Sequence, residues 1–372
     1  MGRFRIHTEI KCHDDITSRI NSFSKERIWI VADSFLEKSS LLNEYIQRFS
    51  SKNTVEIYTN IIPDPPLSKV IEGIKVYNTF SPTVILAIGG GSAIDTAKLI
   101  AYYAAKLEGT ARPFFAAIPT TSGTGSEVTS FAVVTDTETN TKDSVVDDSI
   151  SPDEAWLDER FVMSCPDKVT ANSGMDALTH AIEALVANHA DAFTDALSEY
   201  AVKMIFALLP KCYHKTATAD EWHELLAASS MAGMAFQNAG LGISHAISHQ
   251  LGAVFHIPHG LANALLLPEA IAFNMQDETA CHKYADLARK LGFANFSDNN
   301  LTAAGKLLSA VKALSNEVGC SIKLKDLSIS NDEIVKNLPV IVSKTMKDFT
   351  FPGNPRTVST EDIVRIVLNI SE

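Results

Sequence analysis

Close cysteine pairs, long apolar runs and an excess of basic residues are all missing from this chain. Its five cysteines, at positions 12, 165, 212, 281 and 320, are odd in number and far apart. That spacing excludes a zinc knuckle, an iron–sulfur cluster and a redox CxxC pair, and it fits a reducing, cytoplasmic setting. No window of 18 residues is apolar without interruption, so no membrane span is expected. The opening stretch MGRFRIHTEI lacks the apolar centre of a signal peptide. Lysine and arginine number 32 against 44 acidic residues, for a formal charge of -12. That balance excludes a nucleic-acid binder that relies on broad phosphate neutralisation. Internal repeats, low-complexity tracts and heptads are absent as well.

What is present is a chain of 372 residues with ordinary globular composition, 46% hydrophobic and 20% charged. Its length suits two domains. The oddity is histidine, because eight of the 11 lie between His180 and His259.

The first part alternates strand-like and helix-like runs. RIWIVAD (27–33), TVEIYTNI (54–61), TVILAI (83–88) and FFAAIPT (114–120) read as strands separated by helical stretches. Strands and helices in that order predict a parallel sheet with both faces covered. From about residue 164 helical periodicity dominates to the C-terminus. The expected division is an α/β dinucleotide-binding domain over 1–160 and an all-α domain over 161–372. Pro152 and Pro166 bracket the passage between them.

The third strand runs into Gly89-Gly90-Gly91-Ser92. Glycines allow a tight turn and close approach of a pyrophosphate, and the following helix N-terminus adds N–H donors and a favourable dipole. Ser92 could cap that helix, with Asp95 as its acidic partner. The pattern is neither GxGxxG nor a Walker motif, and a plain structural turn is an equal reading. A second polar loop, Pro119 to Glu127, follows the next strand with Thr120, Thr121 and Thr124. Two such loops on successive strands point to one dinucleotide site at the carboxyl ends. Asp33, ending an earlier strand, could accept from an adenosine ribose diol and would repel a 2′-phosphate. It could equally be a turn or cap residue.

Asp176 and His180 are four apart, as are His245 and His249, and His259 follows Pro258. On helices, such pairs share a face and can converge on one ion. Mixed nitrogen and oxygen donors without thiolate suit Fe²⁺, Zn²⁺, Co²⁺ or Ni²⁺. Taken singly, Asp176 could be a helix cap and each histidine a satisfied packing residue. Taken jointly, burying so many imidazoles among apolar neighbours needs partners. His256 is a reserve ligand or a substrate-pocket residue. Glu183 could hold the second nitrogen of His180, or be a plain surface residue. His189, His214 and His223 look peripheral.

The segments GGGSAIDTAK (89–98), IPTTSGTGSEVTSFAVVTD (118–136), GMDALTHAIEA (174–184) and GLGISHAISHQLGAVFHIPHGLANALLLP (240–268) resemble those of the iron-containing (group III) alcohol dehydrogenases. FTDALSEYA (193–201) and MAGMAFQNAGLGISHAISHQLG (231–252) look most like the 1-propanol dehydrogenase branch of propanediol utilisation. Ethanol, butanol and lactaldehyde reductases and glycerol dehydrogenases of the same fold are the alternatives, and a non-catalytic metal-bearing or shell-associated protein is the remote one. The resemblance implies a dehydroquinate synthase-like fold: a nucleotide-binding α/β domain followed by an all-α domain. It implies metal ligands at Asp176, His180, His245 and His259, holding Fe²⁺ with Zn²⁺ as the other candidate. His249 matches a proton-relay histidine. For NAD(H), Asp33 matches the ribose-binding aspartate, Gly90, Gly91 and Ser92 the pyrophosphate loop, and Thr120, Thr121 and Thr124 the cofactor-contacting hydroxyls. Asp95 goes with the pyrophosphate loop, and Lys142 matches a lysine near the nicotinamide-side ribose. Ala93 departs from a proline common there, which only prefixes the helical turn, and the connector before residue 114 is shorter than in many relatives. The implied reaction is reversible reduction of propionaldehyde to 1-propanol. The implied partners are a small aldehyde or alcohol, a second copy in a homodimer, and the components of a bacterial microcompartment.

Overall fold

The computed structural model describes residues 4–62, 65–136 and 141–371, and the side chains of Asp136 and of residues 141–143 lie outside the description. The chain forms two compact units. One contains Arg5–Cys165 together with Thr218–Ser230, and the other contains Pro166–Ala217 and Met231–Glu372 with the first four residues.

The first unit is built on β1 (Glu9–Cys12), α1 (Asp14–Ser22), β2 (Arg27–Ala32), α2 (Ser40–Ser50), β3 (Thr54–Tyr58), α3 (Leu67–Phe80), β4 (Val84–Gly89), α4 (Gly91–Glu108), β5 (Phe114–Pro119), β6 (Phe131–Asp136), β7 (Thr141–Val146), β8 (Glu154–Leu157) and α5 (Glu159–Met163). Six strands form a parallel sheet in the order β1-β8-β5-β4-β2-β3. The four apolar runs read as strands form its contiguous block β5-β4-β2-β3, with β3 at the edge. Alternation along each run sorts the side chains onto two faces. Trp29, Val31, Ile85, Ala87 and Phe115 pack on one face with Tyr77 and Ile94 of α3 and α4. Ile28, Ile30, Leu86, Ile88 and Ile118 pack on the other with Ile20, Leu42, Tyr45 and Phe161. Both faces are dry, and burial of each large side chain contributes roughly 1.5–3 kcal/mol. This explains why the strands read as near-continuous apolar runs. The short strands β1 and β8 and the antiparallel hairpin of β6 and β7 were not predicted, because four to six residues with polar members carry little periodic signal.

The second unit is helical: α6 (Asp167–Val186), α7 (Ala192–Tyr213), the second half of α8 (Ala219–Ala239), α9 (Ile243–Phe255), α10 (His259–Asn274), α11 (Glu278–Lys290), α12 (Asn300–Glu317), α13 (Asn331–Thr345) and α14 (Thr360–Asn369). The fold is an α/β nucleotide-binding-like domain followed by an all-α domain, as the sequence predicts. Asp191, Asp277, Asn299, Ser330 and Ser359 cap their helices through side-chain oxygens. Helix α6 is buried along nearly its whole second half, and a Cβ on Gly174 would reach within 2.3 Å of Leu209 in α7. Among the described residues no helix is long and apolar enough to cross a membrane. The five cysteines form no disulfide.

Candidate metal centre and nucleotide loops

The strand order reverses direction between β2 and β4, and the residues that follow these strands meet at their carboxyl ends. Such a switch point is where open α/β sheets bind ligands. The N–H of Asp33 donates to the carbonyl of Ile88, the N–H of Gly90 donates to Asp33 Oδ2 at 2.9 Å, and the N–H of Thr120 donates to the carbonyl of Gly89. Burial pushes the Asp33 carboxyl above its usual range, against the hydrogen bond from Gly90. The structure thus brings Asp33, Gly90 and Thr120 together.

The glycines are needed for contact rather than for unusual torsions. A Cβ on Gly89 would lie 2.5 Å from Asp33 Oδ2, and one on Gly91 would lie 2.8 Å from Thr124 Cγ2. Gly90, not Ser92, is the N-cap of α4, and no side chain caps the helix. Ser92 therefore does not play the capping role its position suggested, because the helix begins two residues earlier than a Ser92 cap would require. Asp95 braces the second loop: its Oδ1 accepts from Ser126 Oγ at 2.6 Å and its Oδ2 from the N–H of Val133 at 3.0 Å. Thr120 Oγ1 and Ser122 Oγ are buried and make no hydrogen bond with a described residue. Lys142 is in the backbone of β7, and its side chain is outside the description.

In the helical unit, Asp176 lies in the middle of α6, not at its start. An ionisable residue there favours neither the helix nor burial, so its surroundings explain it. Its Oδ1 lies 3.8 Å from His245 Nε2 and 3.6 Å from His259 Nε2. The ligand atoms of Asp176, His180 and His245 fall within 4.8 Å of one another. Asn263 Nδ2 stands among three acceptors, donating to Asp176 Oδ1 at 2.7 Å and facing His245 Nε2 at 3.0 Å and His259 Nε2 at 3.2 Å. One amide nitrogen has two hydrogens, so three converging lone pairs exceed what it can satisfy. The donor set fits a cation at that point.

The tautomers agree. His245 Nδ1 meets Glu183 Oε2 at 2.6 Å, so its proton sits there and the Nε2 lone pair faces inward. Burial and the neighbouring imidazoles of His180 and His259 hold the His245 pKa well below the usual range, which keeps that lone pair available at neutral pH. Burial raises the Asp176 carboxyl, yet His259, His180 and His245, with the Asn263 hydrogen bond, outweigh it and keep it below its usual range. The rings of His180 and Phe236 stack at 4.4 Å, and those of His180 and His245 at 4.5 Å.

Glu183 serves His245 rather than His180, the partner its spacing suggested. Its Oε1 also accepts from the N–H of Ser244 at 2.7 Å, so one carboxylate of α6 caps α9 and orients a histidine of α9. Burial pushes this carboxyl up to about 7, held back by hydrogen bonds from the N–H groups of Ser244, Gly242 and His245. His249 turns its Nδ1 to Asp348 Oδ2 at 2.8 Å and stacks 5.3 Å from His259 and 5.6 Å from Phe349. His256 is exposed and forms the left-handed C-cap of α9. It stays outside the cluster, correcting its reading as a reserve ligand.

Comparison with known proteins gives these groups a context. The model of the iron-containing alcohol dehydrogenases matches residues 4–159, and that of the C-terminal part of the Fe-containing alcohol dehydrogenase family matches 170–370. The chain belongs to the iron-containing alcohol dehydrogenases. It is an NAD-dependent, metal-containing alcohol dehydrogenase of that family. The 1-propanol dehydrogenase PduQ of Salmonella typhimurium is 38% identical over 366 residues, covering 98% of both chains. The NADPH-dependent butanol dehydrogenase of Clostridium saccharobutylicum is 38% identical over 84% of this chain and 82% of its own. Among solved structures, 1,3-propanediol oxidoreductase superposes with a TM-score of 0.91 at 29% identity, and the alcohol dehydrogenase from Oenococcus oeni with 0.91 at 28%, each covering both chains fully.

Several residues of this dehydrogenase that matter to the geometry were not singled out from sequence. Asn263 is four residues after His259 on α10, a spacing that could have marked it, whereas Asp348 carries no spacing signal relative to His249. Lys98 read only as part of a helical motif. It is fully buried, and its Nζ donates to the carbonyls of Thr129 at 2.8 Å and Phe131 at 2.9 Å. Burial pushes its ammonium down to about 8 against the pull of Asp95 and Glu127. Glu127 is itself buried and accepts from Ser230 Oγ at 2.6 Å. Lys98→Met is expected to destabilise the protein by about 3 kcal/mol, since it strands buried acceptors and carboxylates. Between about pH 8 and the usual lysine pKa near 10.4, the unfolded lysine binds more protons than the folded one. Stability from this group therefore rises with pH there. The gap between wild type and variant should widen over that window in denaturant titrations, and a constant or narrowing gap would refute the assignment.

Proposed function

We propose that this enzyme reduces short-chain aldehydes, propionaldehyde first among them, to primary alcohols with NADH, and runs the reverse oxidation. The observation that carries the reading is the convergence of Asp176 Oδ1, His245 Nε2 and His259 Nε2 around one point. With His180, these residues hold Fe²⁺, and Zn²⁺ is the alternative ion, for the donor set is nitrogen and oxygen without thiolate. When bound, the ion supplies Lewis-acid polarisation of the substrate oxygen and the dinucleotide supplies the hydride.

The chain's own residues do the rest. Asp176 stays ionised and offsets part of the ion's charge. Glu183 keeps His245 in the tautomer that points Nε2 inward. Asp348 holds Nδ1 of His249, leaving Nε2 to hand a proton to the alcohol oxygen and to take it back on oxidation. Asp33 accepts from the adenosine ribose hydroxyls. In the Gly90, Gly91 and Ser92 loop, the backbone N–H groups of Gly91 and Ser92 bind the pyrophosphate, while that of Gly90 is held by Asp33. Thr120, Thr121 and Thr124 supply hydroxyls, Lys142 is assigned to the second ribose on the family likeness alone, and Asp95 acts through the loop that it braces. Residues up to about 160 thus serve the nucleotide, and those beyond serve the metal. The same family likeness supports a homodimer enclosed in a bacterial microcompartment.

The substrate choice is supported by the relative of 98% mutual coverage that is a 1-propanol dehydrogenase. Anaerobic kinetics after Fe²⁺ reconstitution, with C2–C4 aldehydes and both reduced dinucleotides, test it. Propionaldehyde should give the highest kcat/KM. NADH should be preferred over NADPH by at least about tenfold, because an acidic residue at the ribose disfavours a 2′-phosphate. A preference for butyraldehyde, or for glycerol in the oxidative direction, would replace this substrate assignment.

A further inference from the structure

A second histidine cluster lies in the α/β unit and has no part in the chemistry above. His13 immediately follows β1, Glu159 opens α5, and His223 sits near the start of α8. All three belong to the same compact unit. One ligand atom from each lies within 4.8 Å of the other two. His223 Nδ1 is buried, lies 3.4 Å from Glu159 Oε2, and makes no hydrogen bond with a described residue. That separation suits two ligand atoms on the edge of a tetrahedron whose centre is about 2.0–2.1 Å from each.

The backbone at His13 supports the same reading. It has φ 49° and ψ -121°, a strained conformation for a residue with a Cβ, and one that persists where surroundings enforce it. The His13 and His223 rings stand 4.2 Å apart. Asp14 and Glu159 line a 230 Å³ cleft beside His13. The arginines that share that cleft are engaged by acids, Arg48 by Glu44 and Arg160 by Asp158.

We propose that His13, Glu159 and His223 form a second metal site, separate from the catalytic one, for a divalent ion of the Zn²⁺ class. Two imidazoles and one carboxylate leave the fourth tetrahedral position to water. The role is structural. The chain enters Thr218–Ser230 only after Pro166–Ala217, which belongs to the other unit. An ion held by His223 fastens this returning segment to the β1–α1 turn and to α5.

Dialysis of the metal-loaded enzyme against micromolar Zn²⁺, followed by atomic emission counting, tests the proposal. Wild type should hold two ions per chain. His223→Gln and Glu159→Gln should each hold one and keep aldehyde turnover. His13→Gly removes a ligand while suiting the positive φ, so it should lose the same ion without a folding defect. His245→Ala should keep one ion, the one in this cluster, which separates the fate of this site from that of the catalytic reading. In a Co²⁺-substituted enzyme, the tetrahedral absorption of the second ion should vanish in the three cluster variants. One ion in wild type, or two in His13→Gly and Glu159→Gln, overturns the proposal.

Discussion

His245→Ala is expected to abolish metal binding at the catalytic centre and to lower kcat on propionaldehyde by at least about 10³-fold. The substitution removes the ring whose Nε2 faces the convergence point and whose Nδ1 occupies Glu183. Asp176 then loses one of the three imidazoles that hold its carboxyl down, and Glu183 is left buried with only the N–H donors at the start of α9. The remaining donors come from different helices and no longer enclose the ion. Because positioning and charge stabilisation are lost together, the effect should fall on kcat and metal content alike, with a smaller change in NADH affinity. Metal analysis, NADH titration by fluorescence and steady-state kinetics on one preparation check this. A variant that keeps its ion and its full turnover would show that the metal centre lies elsewhere.

Gly260→Ala should be among the most damaging single-methyl changes in the helical unit. A Cβ at Gly260 would lie 2.2 Å from the carbonyl oxygen of Asn172 and 2.8 Å from its carbon. Both obstacles are backbone, so no rotamer change relieves them, and α10 must move away from α6. Overpacking of this kind costs about 3 kcal/mol or more. The displacement also acts on function. Gly260 follows His259, and its new Cβ would press on Asp176 Cβ, 3.3 Å away. The Asp176–His259 spacing of 3.6 Å therefore opens, and metal affinity should fall by about 10–100-fold, the range seen when supports of metal ligands are disturbed. Gly305→Ala is the contrast. Nothing lies within 4 Å of its Cβ position inside α12, so it should stabilise by about 0.5–1 kcal/mol through helix propensity. Denaturant unfolding and metal titration of the two variants decide the matter. A Gly260→Ala protein as stable as wild type would mean that the helices have more room than their backbone distance allows.

The two kinds of glycine show why sequence reading reaches some features and misses others. Gly89, Gly90 and Gly91 stand out because they are adjacent and follow an apolar strand. The sequence places them at a turn, but does not give the reason for Gly89 and Gly91, which is the approach of Asp33 and Thr124 from other loops. Gly260 carries no local signal at all, and only the crossing of two helices makes a side chain intolerable there. Glu183 is similar. Its spacing from His180 on one helix suggested a local partner, whereas α9 delivers His245 to it instead. Local spacing predicts which residues share a face, not which other element meets that face.

Periodicity and motif order were enough for the fold class, the contiguous block of four strands, the helical second half and the family. Those properties rest on interactions between near neighbours in sequence, and on motifs long enough to be specific. The grouping of Asp176 with histidines from α9 and α10 was legible as a candidate set, because i and i+4 pairs mark faces. The tertiary structure decided the rest. It set the tautomer of His245 through Glu183, the partner of His249 through Asp348, and the place of Asn263 among three acceptors. It also buried Lys98 against the carbonyls of Thr129 and Phe131, and gathered His13, Glu159 and His223 from segments about 60 to 210 residues apart. The physical reason is common to all of them. A side chain's protonation and orientation depend on the distances and burial that packing creates, and packing joins residues for which sequence separation holds no information.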